Sequence, residues 1–182
     1  MSDFNLLTSP FGSVQLERLP ADSSNTLRAW DAADEYLLHY FGTHYADNKS
    51  DCQQPLILND NFGALAVSLS DYLPVLISDS FVSQQAAQTN LAANNCKDLQ
   101  QLDSISPLPT APLVILKLPK NTHYFEYQLA ALNHYLPAGT PVIISAMVKY
   151  LGNNFFKLFE QHLENTSTTL AKKKARLLLG VT

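Results

Sequence analysis

The sequence predicts a doubly wound, mainly parallel α/β sheet closed by an antiparallel edge strand. Three observations carry that reading. Short apolar, β-branched runs recur at 56–59, 74–78, 112–117 and 140–146. Each is followed by a longer stretch with helical spacing, and such alternation calls for parallel pairing through right-handed crossovers. A last run at 166–179 has no helix after it, which suits a strand that turns back antiparallel.

The elements follow in order. Phe11, Val14, Leu16 and Leu19 alternate well enough for a strand over 11–19. Leu27, Trp30, Ala33, Leu37 and Phe41 give one apolar face to a helix over roughly 26–41, with Asp31, Asp34 and Glu35 on its polar side. Residues 42–55 are polar and read as a loop. Residues 81–94 read as a helix. Phe125, Leu129, Leu132 and Leu136 step along one face of another, which Asn121 or Thr122 can cap and Pro137-Ala138-Gly139 stops. Phe155, Phe159 and Leu163 stripe the last helix, over 153–163. The chain divides into an N-terminal extension, 1–54, and an α/β core, 55–182, of one domain.

Composition narrows the function class. A 46% hydrophobic fraction with 15% charge suits a globular protein, and no apolar run reaches the ~20 residues that cross a bilayer. The N-terminus lacks a secretory pattern, and Cys52 and Cys96 stand far apart, so a cytoplasmic protein with reduced thiols is expected. The net charge of −4 hides an asymmetry, with −9 over residues 1–110 and +5 over 111–182. A polyanion would meet the second part at the lower electrostatic cost.

In such a sheet ligands bind beyond the carboxyl ends of the strands, where strand order reverses. The first strand-to-helix turn reads Asn59-Asp60-Asn61-Phe62-Gly63. A nucleotide or adenosyl cofactor needs glycines there; this turn has one, and the bulk of Phe62 would crowd an adenosyl group. Asp60 and Asn61 suit a helix cap better. Asp79 ends the next strand, where a carboxylate would hold ribose hydroxyls, but it also suits a helix N-cap. The vestigial turn is thus Asn59, Asp60, Gly63 and Asp79. The five histidines show no metal-ligand spacing, and no nucleophile elbow or carboxylate dyad stands out. Lys172, Lys174 and Arg176 would share one face of a final strand and could contact successive phosphates, or protect a sheet edge.

Five segments, LRAWDAADEYLL (27–38), LILNDNFGALA (56–66), ISDSFVS (77–83), VILKLPK (114–120) and TLAKKKARL (169–177), resemble the bacterial guanine-N2 methyltransferases of ribosomal RNA, the large-subunit branch in particular. Members of that family carry two methyltransferase-like lobes. The C-terminal lobe binds S-adenosylmethionine and bears an Asn-Pro-Pro-Phe motif, and the N-terminal lobe has the same architecture without catalysis. The resemblance is to the N-terminal lobe, since Leu116-Lys117-Leu118-Pro119-Lys120 stands where the motif would be. It implies no catalytic residues, no cofactor and no metal in this chain, with S-adenosylmethionine confined to the other lobe. It implies ribosomal RNA and the chain's own C-terminal lobe as partners, and no membrane. The +5 charge of residues 111–182 points to Lys117, Lys120, Lys172, Lys174 and Arg176 as cations that form or border an RNA-holding surface. A purely structural lobe and a small active methyltransferase are the readings left open.

Overall fold

A computed structural model of the chain describes residues 3–21 and 26–182. Its centre is a seven-stranded sheet of β3 (Leu56–Leu58), β4 (Val75–Ile77), β5 (Gln101–Leu102), β6 (Val114–Lys117), β7 (Pro141–Met147), β8 (Glu164–Thr168) and β9 (Ala175–Val181). The order across the sheet is β5-β4-β3-β6-β7-β9-β8. From β5 through β7 all pairs are parallel, in register Leu56↔Val75, Leu56↔Val114 and Val114↔Val142. Strand β9 is antiparallel to both β7 and β8.

Neighbouring residues of each buried strand serve opposite faces, as the two-residue period demands. Ile57, Leu76, Ile115, Ile143 and Leu177 join one core, shared with α1 (Ala32–His44), α2 (Ala64–Ser68) and α3 (Phe81–Ala93). Leu56, Leu58, Val114, Leu116, Val142 and Ile144 join the other, shared with α4 (Thr122–Tyr135) and α5 (Asn153–His162). The result is three layers with helices on both faces. Phe125, Leu129 and Leu132 of α4, and Phe155 and Phe159 of α5, are buried as their spacing predicts. The Asn121 side chain caps α4, accepting from the N–H groups of His123 and Tyr124.

Four local readings change. Residues 11–19 are not one strand; β1 (Leu6–Ser9) and β2 (Gly12–Gln15) form an antiparallel hairpin turning at Pro10 and Phe11. The first helix starts at Ala32 rather than 26, because Asp31 and Asp34 form a capping box. Leu27 lies outside that helix, 56% exposed. The polar stretch 42–55 holds a 3₁₀ segment, Ala46–Cys52.

The fourth change concerns 166–179, which contains the end of β8, a tight turn and the start of β9. Lys173 and Lys174 both have positive φ, 48° and 64°. Lys172 and Ala175 exchange hydrogen bonds across them, which is the two-residue hairpin geometry that matches strand twist. Lys172 and Lys174 therefore belong to a turn and not to one face of a strand. The antiparallel strand β9 lies inside the sheet, and β8 takes the edge.

Candidate functional site

Strand order reverses between β3 and β6, so their carboxyl ends diverge there and leave a cleft of about 680 Å³. Its walls include Asp31, Asn59, Asn61, Asp79, Lys117, Lys120 and Tyr150. Phe62 is not among them. It packs away from the cleft, its ring 4.4 Å from the Arg18 guanidinium, and its carbonyl accepts from Asn90. The expected crowding by Phe62 is therefore absent, and Asn59, Asp79 and Lys117 on the cleft wall are engaged by the chain itself.

Asn59 leaves β3 with positive φ, 64°. Its amide nitrogen lies 2.9 Å from the Lys117 carbonyl and 2.9 Å from the Gln128 side-chain oxygen; Gln128 donates in return at 3.0 Å. One side chain thus fastens β3 to β6 and α4 where the strands part. Asp60, 6% exposed, accepts from the N–H groups of Ala64, Leu65 and Ala66 at 2.9–3.1 Å. The orphan amides that begin a helix, ordinarily an anion site, are occupied by this internal carboxylate. Burial raises the Asp60 carboxyl, against the opposing pull of Lys117 and the three amides. Asn61 takes no part in this cap.

Gly63, at φ 80°, is needed for packing. A Cβ there would lie 2.7 Å from the Cα of Ala87, so the residue lets α3 approach the turn. Asp79 does not cap α3; Ser80 does, accepting from Ser83 N–H. Asp79 accepts from the Ser104 N–H at 2.7 Å and from its hydroxyl. Partial burial would raise its carboxyl, but Ser104 and Tyr124 outweigh that and hold it below the usual range. Tyr124, partly buried and bonded to Asp79, is pushed up to about 12.

Asp34 is what the sequence reading misplaced. It is not on the polar face of α1 but fully buried, its carboxylate 2.6 Å from the Lys117 ammonium. Burial raises the Asp34 carboxyl to about 6, outweighing the pull of Lys117. Burial would lower the Lys117 ammonium, yet Asp34, Asp31 and Asp60 together hold it above its ordinary value. A signal was present: Asp34 lies four residues after Trp30 and three before Leu37, on the apolar stripe itself.

The five cations expected to face RNA differ in exposure and in what they touch. Lys117 is committed to Asp34, and its side chain is only 12% exposed. Lys120 is exposed at the cleft mouth. Lys172 and Lys173 border a second hollow, along α1. Lys174 is exposed in the turn, and Arg176 is half-buried on β9 opposite Ala146. Among the described residues no three His, Cys, Asp or Glu side chains converge as a metal site, and no helix is long and apolar enough to cross a membrane.

Comparison with known proteins agrees with this architecture. The 16S rRNA methyltransferase RsmC of T. thermophilus, solved with AdoMet and guanosine, superposes with a TM-score of 0.75 at 17% identity, over 97% of this chain and 49% of that one. A putative SAM-dependent methyltransferase from Streptococcus mutans gives 0.61 at 10% identity, over 93% and 52%. Among curated relatives, the ribosomal RNA large subunit methyltransferase G of Pseudoalteromonas translucida is 45% identical over 91% of this chain. Its counterpart in Yersinia pestis is 42% identical over 98%. The chain spans about 44% of the length of each of these two relatives. The family model described as the RLMG N-terminal domain matches residues 4–181, and the chain belongs to that family.

Proposed function

We propose that this chain is the non-catalytic N-terminal lobe of a cytoplasmic, S-adenosylmethionine-dependent large-subunit ribosomal RNA (guanine-N2) methyltransferase. In this reading it binds no cofactor and holds RNA for its C-terminal lobe. The relatives' names supply the reaction class, and their greater length leaves room for a second lobe.

The observation that carries the non-catalytic reading is that the chain itself occupies the Asp60, Asp79 and Asn59 groups at the switch point. S-adenosylmethionine is the group this fold implies, and the residues present do not suit it. Asp60 occupies the α2 amides, Ser104 occupies the Asp79 carboxylate, and Asn59 ties β3 to β6 and α4 across the gap. In place of the family's Asn-Pro-Pro-Phe motif, Lys117 turns its ammonium back to Asp34. No amide acceptor remains at that position to orient a guanine amine. The RNA-holding cations in this reading are Lys120, Lys172, Lys174 and Arg176, with Lys117 left out by its burial.

Calorimetric titration of the full-length protein with S-adenosylmethionine tests the assignment. One site per polypeptide is expected. Two sites, one of them abolished by Asp79→Ala, would show that this lobe binds cofactor in the open cleft.

A further inference from the structure

The second hollow, about 640 Å³, lies between the outer side of α1 and the segment joining β8 to β9. We propose that it is a stacking site for an unpaired RNA nucleotide, with aromatic rings of α1 receiving the base and lysines of the hairpin receiving phosphates. This inference rests on the RNA-holding reading above and assigns it a place.

One turn apart on α1, the rings of Tyr40 and His44 are stacked, with centroids 4.0 Å apart and planes within 15°. His44 Nδ1 lies 3.0 Å from the Tyr40 carbonyl, which sets the ring's orientation. Tyr40 is half-buried and His44 exposed, so the pair is anchored on one side and open on the other. A nucleobase presents a flat π-face that continues such a stack whatever its sequence.

The hairpin supplies the charge. The Tyr36 hydroxyl donates to the Leu170 carbonyl at 3.1 Å and fastens this segment to α1. The Lys172 ammonium sits 5.1 Å from the centre of the Tyr36 ring, and Lys173 pairs with Glu35 at 2.7 Å. Glu35 pairs with Lys173, and Lys172 lines the hollow with no carboxylate partner among the described residues. Edge protection does not account for these lysines, because β8 is the edge strand and they stand in the turn. A planar aromatic pair beside the unpaired Lys172 ammonium matches a base with its phosphate better than it matches a peptide.

The test uses full-length protein, a fluorescent single-stranded RNA of mixed sequence and the duplex of the same strand. His44→Ala and Tyr40→Leu should each weaken single-strand binding by about tenfold, with duplex binding nearly unchanged. His44→Trp, which enlarges the stack, should tighten it and serves if Tyr40→Leu fails to fold. Unchanged single-strand affinity in His44→Ala and His44→Trp would overturn the proposal. If those variants bind normally while joint replacement of Lys172, Lys174 and Arg176 weakens binding, the groove fails and the RNA-holding reading stands. If none of these changes affects RNA binding, both fall. Full-length protein free of RNA should leave His44 open to diethyl pyrocarbonate, and RNA should protect it. Shielding already present without RNA would mean that protein covers the groove, which also overturns the proposal.

Discussion

The ammonium of Lys117, a residue of the cleft wall at the end of β6, lies 2.6 Å from the buried carboxylate of Asp34 on α1. An internal cation thus sits among Asp34, Asp31 and Asp60 at the point where the sheet divides. The pair also connects the first helix to the central strands, two elements far apart in the chain.

Lys117→Met should cost about 3 to 5 kcal/mol, because it strands a buried charge. The Asp34 carboxyl is raised to about 6 from an ordinary 3.8, so its contribution to stability is full below 3.8 and is lost as pH rises through about 6. Removing the lysine raises the carboxyl further. Denaturant unfolding should therefore show a larger deficit at pH 8 than at pH 5, and Asp34→Leu in the same chain should recover much of it. A small deficit independent of pH would contradict the buried pair.

Gly63→Ala should destabilise the lobe by about 1 to 3 kcal/mol, since its Cβ would meet the α3 backbone and its φ is positive. Binding of S-adenosylmethionine by the full-length protein should be unaffected. Loss of cofactor affinity with stability intact would assign the glycine to a ligand instead.

Asp79→Ala should loosen the loop around Ser104 and leave the α3 N-terminus, which Ser80 caps, as protected as before. Amide hydrogen exchange resolves the two segments. The Asp79 carboxyl is depressed below its ordinary 3.8, so its stabilisation is present above that value and is lost as pH falls through the folded one. The gap between variant and parent should stay constant near neutrality and close in acid.

Replacing Lys172, Lys174 and Arg176 by Ser in the full-length protein should weaken ribosomal RNA binding. Each lost phosphate contact should reduce the slope of log affinity against log salt by roughly 0.7 to 0.9. An unchanged slope would show that none of the three neutralises a phosphate. Sequence preference should persist, because base edges carry that information.

Much of the fold was legible because period and composition are local properties. The apolar runs of β3, β4, β6 and β7 and the stripes of α3, α4 and α5 stand in the sequence and recur in the structure with small changes at their ends. That the turn at 59–63 holds a single glycine was also legible. Three outcomes depended on the tertiary structure. Lys117 looked like a surface cation until folding placed a buried carboxylate against it, because only long-range packing decides whether a charge meets water or a partner. The lysine run looked like a strand until two positive φ angles made it a turn, an outcome set by the register of β9 against β8. Asp79 looked like a cap, and Ser104 claimed it across the β4–β5 crossover. Sequence alone determined which apolar stripes would be buried and where strands and helices alternate. Tertiary structure alone decided which polar groups would satisfy one another, because the partners meet only after the sheet has brought distant segments together.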